Sequence, residues 1–475
     1  MKPLKKTKIV ATIGPASTSK EVLREMAKAG MNVCRVNFSH GSYADHKKVL
    51  DIIAEINSEE KSNIATLLDL QGPKIRIGEI ENNGVELCEG EKLIITTEQC
   101  LGTKDKVFLT YKDFPKDVKV GEKILLDDGK LVLEVISTNL KTEVLTTVIN
   151  GGILSSKKGV NLPNTKVSLP SLTQKDKEDL AFALENNVEW IGLSFVRSAN
   201  DIIELKNIIS QNGKDCRVVA KIEKPEALND IDAIIHETDA VMVARGDLGV
   251  EIPMQQVPMI QKMLVKKCLY AGKPIIIATQ MMESMIHNLT PSRAEVNDVA
   301  NAVLDGADAV MLSAETSVGK YPVQVVQAMS NIIYEAEKEE SIYHKEYPPE
   351  FNEDRFISDS VCFNACRLSS RVKAKAIVTM THSGYTALKV ASARPKAQIC
   401  VFTGNIRMMN MLGLVWGVQT FYYDKFVSTD QTIADIIFIL KKENNIKIKD
   451  LIINIASIPI TEKGKSNMLK LSCVE

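Results

Sequence analysis

Eight short apolar runs rich in β-branched residues alternate with longer amphipathic segments, and this alternation constrains the fold of the chain more than any other feature. The runs lie at 8–13, 32–38, 65–70, 190–196, 217–223, 240–244, 274–279 and 309–313. Short buried strands alternating with helical periodicity mark β-α units on a parallel sheet. Amphipathic segments lie at 19–29, 43–56, 175–185, 199–209, 225–235, 257–270, 293–304 and 323–337, the fifth with the faintest apolar period. Eight strands, each followed by a helix, are the number that closes a parallel barrel. The expected class is α/β, a (β/α)8 TIM barrel.

The repeat breaks once, after Leu70, where about a hundred residues precede the helix that completes the third unit. Strand-like runs at 92–97, 106–110, 123–126, 130–135 and 142–149 are separated there by Gly90, Gly121, Asp127-Asp128-Gly129 and Asn150-Gly151-Gly152. Such residues punctuate hairpins, which predicts a small inserted β-barrel domain placed as a lid. A polar linker at 343–353, containing Pro348-Pro349, precedes a second α/β pattern. It has strands at 376–380, 398–403, 419–422 and 451–456 and helices at 357–370, 384–393, 405–412 and 428–443. The predicted domains are a barrel over 1–70 and 169–342, an inserted lid over 71–168, and a C-terminal α/β domain over 343–475.

Composition excludes several roles. The 59 Lys and Arg nearly cancel the 60 Asp and Glu, so no global field draws the chain to nucleic acid or an anionic membrane. The nine cysteines form no C-x-x-C pair, which fits neither a disulfide framework nor a zinc site and suits a reducing cytosol. The N-terminus lacks the apolar core of a signal peptide, and no apolar run is long enough to span a bilayer. A cytoplasmic protein is expected. No Gly-x-Gly and no Walker A spacing occurs, which removes the common dehydrogenase and NTPase fingerprints.

A barrel's active site lies at the C-terminal ends of its strands. Polar residues gather there on seven of the eight: Arg35, Asn37 and Ser39; Asp69; Ser194; Lys221 and Glu223; Arg245 and Asp247; Thr279; and Glu315. Residues two apart share a strand face, so Arg35 with Asn37 and Lys221 with Glu223 can both point at the mouth. Glu223 and Asp247, on neighbouring strands, suit a hard cation such as Mg²⁺. Arg35 and Lys221 supply the positive charge that a phosphoryl group in transfer requires. The competing reading of Lys221 and Glu223 is an internal salt bridge that only braces the mouth, and against it stands the small contribution of a pair of this kind when exposed.

These residues sit in stretches that resemble the pyruvate kinase family. They are KIVATIGP at 8–15, RVNFSHG at 35–41, DLQGPKIR at 69–76, KIE at 221–223, ARGDLGVE at 244–251, ATQMMES at 278–284 and the run from Pro291 through Glu315-Thr316. The resemblance implies transfer of the phosphoryl group of phosphoenolpyruvate to ADP, giving pyruvate and ATP, with Mg²⁺ or Mn²⁺. It implies that Lys221 contacts the phosphoryl group and that Glu223 and Asp247 hold the metal. It gives Ala244, Arg245, Gly246, Asp247, Ser194, Arg35 and Lys221 to substrate binding, with the backbone of 244–246 and Thr279 holding the pyruvate carboxylate. Thr279 also lies near the carbon that is protonated; a threonine is too weak an acid to act alone, so a water chain delivers the proton. His40, Arg76 and Lys175 fall to nucleotide or transferring phosphate. For His40 by itself, a histidine satisfied in a turn is the plainer reading.

Asn37, Ser39, Asp69 and Leu70 match the family's monovalent-cation ligands, Leu70 through its carbonyl in place of the usual threonine. Members that require K⁺ carry glutamate before the Ile-Arg pair, whereas Lys74 stands here. A tethered ammonium can supply the charge K⁺ would bring, which predicts activity without added K⁺; a lysine swung into solvent is the alternative. Asp128 is placed to approach the metal as the lid closes, although a bare hairpin turn explains it equally well.

In the C-terminal domain, TMTHSGYT at 379–386 follows a strand and opens a helix, presenting hydroxyls and free N–H groups as an anion site requires. It resembles the family's effector-phosphate loop, implying a phosphorylated effector at Thr381, His382, Ser383, Gly384 and Thr386; an ordinary capped helix is the alternative. Val318 and the stretch ending at Pro459 depart from the family pattern. The sequence ends at Glu475 without the extra C-terminal domain of some bacterial members, and the family implies a homotetramer. Trp416 reads as packing. A Mg²⁺-enolate lyase or aldolase is the rival class, and it would need neither Lys221 beside the metal nor a lid over a nucleotide.

Overall fold

The computed structural model describes residues 5–351, 354–425, 428–458 and 465–475. The extreme N-terminus, the end of the 343–353 linker and Pro459, on which sequence readings fall, lie outside these residues. Eight parallel strands close a barrel: β1 (Lys8–Thr12), β2 (Val33–Asn37), β3 (Ala65–Asp69), β4 (Trp190–Leu193), β5 (Arg217–Ile222), β6 (Ala240–Ala244), β7 (Ile275–Ala278) and β8 (Ala309–Leu312). Each neighbours the next, and β8 closes on β1. Their side chains are almost wholly buried, as continuous apolar strands between a filled interior and a helical ring must be. The faint segment at 225–235 is two short helices, Pro225–Asn229 and Ile231–Glu237. Proline opens the first, and Asp230 stands at the junction.

The insertion after β3 is a six-stranded sheet and a two-stranded one. The outer strands of the larger sheet are Val160–Asn161 and Lys106–Phe108. Isolated bridges from Arg76 to Gly159 and from Ile77 to Leu109 join these two edges and round the sheet into a small barrel. One connection departs from the hairpin reading, because Lys92–Thr96 and Lys106–Phe108 pair in parallel. Glycine punctuation marks where a chain turns without fixing which strand it returns to. The short strands Gly84–Leu87 and Gly152–Ser155, which pair with each other, escaped the sequence reading for the same reason.

The C-terminal sheet has five strands, four parallel and one, Met468–Cys473, antiparallel along Leu451–Ala456. This last strand is half-exposed and carries too little apolar alternation to stand out in sequence. The sheet's helices pack onto the closed end of the barrel, where Trp190, Met242 and Ile276 share one core with Met411, Leu412 and Trp416. At that junction the buried Arg394 donates to Asp308 Oδ2 at 3.0 Å and to the carbonyls of Gly306 and Ala391 at 2.7 Å each. Its guanidinium lies 4.7 Å from the Trp416 ring, so Trp416 is packing, as expected. Removing one partner of a buried pair leaves the other uncompensated, so Arg394→Ala is expected to cost about 3–5 kcal/mol. An earlier urea transition followed by tryptophan fluorescence would report it; an unchanged midpoint would contradict it.

Candidate active site at the barrel mouth

Barrel register sets the mouth. Arg35 on β2 lies opposite Thr12 on β1, and Asp69 closes β3 opposite Asn37 on one side and Gly192 on the other. A Cβ on Gly192 would stand 2.4 Å from Asp69 Oδ1, so glycine is what lets the Asp69 carboxylate lie across β4. Arg35 donates through Nε to Asp69 Oδ2 at 2.9 Å and through Nη1 to Thr12 Oγ1 at 2.8 Å. Lys221 Nζ lies 2.7 Å from Ser194 Oγ, 2.9 Å from Glu223 Oε1 and 3.4 Å from Asp69 Oδ2. Ser194 Oγ in turn donates to the Leu70 carbonyl at 2.7 Å. The Lys221–Glu223 pair is therefore present and buried at the centre of a network, so the small worth of an exposed pair is no argument against bracing here.

The charges are mutually dependent. Burial alone would lower the Lys221 ammonium, yet Asp69 and Glu223 outweigh it and hold it above the ordinary lysine value. Burial opposes the charge on Asp69 as well, while Lys221 and Arg35 hold its carboxyl below the usual aspartate value. Glu223 goes the other way: burial pushes it up against the pull of Lys221, and nearby Asp247 pushes it further. Two carboxylates that raise one another's energy in this way suit a divalent cation. Among the described residues no group of three or more His, Cys, Asp or Glu converges as a metal cage. Mg²⁺ needs none, since one or two carboxylates and substrate oxygens suffice. Glu223 and Asp247 fit that ion, and Glu223 Oε2 is oriented by the Phe195 N–H at 2.7 Å. Asp69 Oδ1 is buried without a hydrogen-bond partner among the described residues, beside Asn37, whose Oδ1 accepts the Ser39 N–H at 3.0 Å.

On β6 and β7, Thr279 adopts a left-handed backbone, φ 69°, which costs a β-branched residue strain and persists only where its surroundings impose it. Its Oγ1 accepts the Gly246 N–H at 2.7 Å and donates to the Ala278 carbonyl at 2.6 Å. Arg245 turns its guanidinium away from the mouth, onto both Asp298 oxygens at 2.7 Å and the Thr279 carbonyl at 2.8 Å. Its side chain is thus a clamp on the Thr279 turn, leaving Ala244 and Gly246 to present backbone. Glu315 braces the same loop by accepting from the Met282 and Ser313 N–H groups.

The remaining sequence candidates spread outward. Lys175 Nζ reaches the Phe38 carbonyl at 3.1 Å and Asp179 at 2.6 Å, and His40, two residues beyond Phe38, is exposed. Arg76 lies in the lid, donating to the Lys157 carbonyl at 3.2 Å. Lys74 is exposed, has no ion pair among the described residues, and lines a cavity under the lid with Asp128, Arg197, Lys224 and Asp247. The structure thus brings Asp128 and Asp247 to one cavity. Far from the mouth, Thr381 Oγ1 accepts the Gly384 N–H at 2.9 Å, Thr386 Oγ1 lies 3.0 Å from Ser466 Oγ, and His382 and Ser383 are exposed. The sequence reading missed Glu251, Lys224 and Asn161, which join lid to barrel. Glu251 lay inside a quoted stretch, but nothing local marks a glutamate whose partners are distant in sequence.

Barrel, inserted lid and α/β appendage, with a lysine, an arginine and acidic side chains buried at the mouth, define a multidomain barrel enzyme of the phosphate-transferring kind. The family model for the pyruvate kinase barrel domain matches residues 4–326, and that for the pyruvate kinase alpha/beta domain matches 359–472. A pyruvate kinase of Geobacillus stearothermophilus is 42% identical over 99% of this chain and 80% of its own length. One of Clostridium acetobutylicum is 40% identical over 99% of this chain and all of its own. The crystal structure of a pyruvate kinase from Cryptosporidium parvum superposes with a TM-score of 0.92 at 35% identity, covering 99% of this chain and 96% of that one. The chain belongs to the pyruvate kinase family and is a phosphotransferase.

Proposed function

We propose that the protein transfers the phosphoryl group of phosphoenolpyruvate to ADP, giving pyruvate and ATP, with Mg²⁺ or Mn²⁺ held by Glu223 and Asp247. The observation that carries this is the buried Arg35–Asp69–Lys221–Glu223 network at the mouth. Lys221 keeps its charge because two carboxylates sustain it, so a cation is fixed where phosphoryl oxygens pass, with no reorganisation during transfer. Arg35, held on two sides, offers a second fixed charge. The divalent ion supplies charge neutralisation between the substrate's oxygens. Ala244 and Gly246 hold the carboxylate of the substrate, and Thr279, its rotamer set by Gly246, orders the water that returns a proton to the enolate carbon. His40, Arg76 and Lys175 bind nucleotide phosphates from the lid side. The domain limits given above, a homotetramer, cytoplasmic residence and a phosphorylated effector at Thr381–Thr386 belong to the same reading; the exposed His382 and Ser383 support the last.

K⁺ is not required in this reading. Asp69, Asn37, Ser39 and the Leu70 carbonyl remain near the mouth, and Lys74, without an ion pair among the described residues and lining the cavity, supplies the missing positive charge. Pyruvate formation in a tetramethylammonium buffer is expected to rise less than about twofold when K⁺ is added, whereas Lys74→Glu should make K⁺ worth about tenfold or more. Turnover of the unaltered protein only with K⁺ would remove the role of Lys74, and none under either condition would remove the proposed reaction.

A further inference from the structure

The lid meets the barrel at a carboxylate that the proposed chemistry leaves unused. Glu251 ends the helix Arg245–Glu251 with its side chain buried. Its Oε1 accepts from Lys224 Nζ at 2.6 Å and from Asn161 Nδ2 at 2.8 Å, and its Oε2 is buried with no hydrogen-bond partner among the described residues. Three elements meet there, and each leads to a different carboxylate of the site. The helix itself bears Asp247. Lys224 directly follows Glu223. Asn161 belongs to the lid strand Val160–Asn161, which pairs with Lys123–Leu126, the strand that runs into the turn carrying Asp128. That turn is tied back to the same edge by the Asp127 N–H, which donates to the Gly159 carbonyl at 3.1 Å.

We propose that Glu251 is a positioning residue that couples closure of the lid to the arrangement of the metal-binding carboxylates, a role that rests on the reaction proposed above. A buried carboxylate is costly in proportion to the partners it lacks. With the lid docked, Glu251 holds two donors on one oxygen; withdrawal of Asn161 leaves it only Lys224. Lys224 lines the same cavity as Asp247 and Asp128, so Glu251 also keeps that ammonium from pairing with the carboxylates meant for the metal. Closure thus sets the lid, the helix of Asp247 and the end of β5 in one step.

Mn²⁺ binding followed by electron paramagnetic resonance on the full chain tests this, with the protein alone and with pyruvate plus ADP, a pair that cannot turn over. Partners that orient metal ligands typically change affinity by about 10–100-fold. Asn161→Ala is expected to bind Mn²⁺ alone within about twofold of the unaltered protein and to lose about tenfold in the presence of the pair. Its kcat should fall while the KM for phosphoenolpyruvate holds. Glu251→Gln should weaken binding in both states; if it fails to fold, Asn161→Ala carries the test. An Asn161→Ala protein of normal melting temperature with unchanged Mn²⁺ affinity in both states would overturn the coupling. Glu223→Gln separates the two levels: Mn²⁺ affinity unchanged by it defeats the metal assignment itself, whereas affinity lowered there but unchanged by Asn161→Ala in the presence of pyruvate plus ADP defeats only the coupling.

Discussion

Lys221→Met is expected to lower kcat for pyruvate formation by about 10³-fold or more, with a far smaller change in the KM for phosphoenolpyruvate. Methionine keeps a flexible stem one atom shorter and removes the charge together with the Nζ donors. What is lost is an ammonium held 2.7 Å from Ser194 and 2.9 Å from Glu223, which in the proposed reaction stabilises charge that develops as the phosphoryl group moves. A contact made chiefly in the transition state appears in kcat, not in ground-state binding. Arginine should not restore the rate, because a planar fork cannot replace a point charge in a site shaped by Ser194 and two carboxylates. Asp69 and Glu223 hold the ammonium above the ordinary lysine value. It therefore stays charged as pH rises to that value, and Lys221 should add no alkaline limb to the kcat profile below it. Steady-state rates across pH check both points; a Lys221→Met protein within tenfold of the unaltered rate would contradict the assignment.

Glu223→Gln should lower Mn²⁺ affinity by about 10–100-fold and reduce activity at limiting Mg²⁺ to match. The amide keeps the size of the side chain and can still accept the Phe195 N–H. It removes one of the two carboxylate charges at the mouth, so that in the proposed site Asp247 loses its partner in holding the ion. Saturating Mg²⁺ should recover part of the rate. Equal Mn²⁺ affinity in the two proteins would place the metal elsewhere.

How much of this was legible beforehand follows from what local sequence encodes. The barrel was, because each strand is a short apolar run buried on both faces, and β5 shows it: apolar residues at 218–220, then Lys221 and Glu223 where the strand meets the mouth. The mouth was legible in residue type and strand position. Its wiring was not, since the contact of Lys221 with Ser194 joins residues 27 apart and that of Arg35 with Asp69 residues 34 apart. Arg245 shows the difference well: its place at the end of β6 was clear, but only the fold reveals that it clamps Asp298 and the Thr279 carbonyl and faces away from the mouth. In the lid, glycines marked the turns, but the parallel pairing of Lys92–Thr96 with Lys106–Phe108 is a matter of which edge lay free, and no residue in either strand records that. Glu251 was hidden for the same reason, its partners Asn161 and Lys224 lying 90 and 27 residues away.

The most direct test of the central claim is to follow phosphorus by NMR while the purified protein acts on phosphoenolpyruvate and ADP with Mg²⁺, with Lys221→Met prepared in parallel. The account predicts that the phosphoenolpyruvate signal is replaced by the γ-phosphate of ATP in equal amount, with pyruvate formed one for one and almost no conversion by the variant. Release of inorganic phosphate without ATP, or equal conversion by the variant, would contradict it.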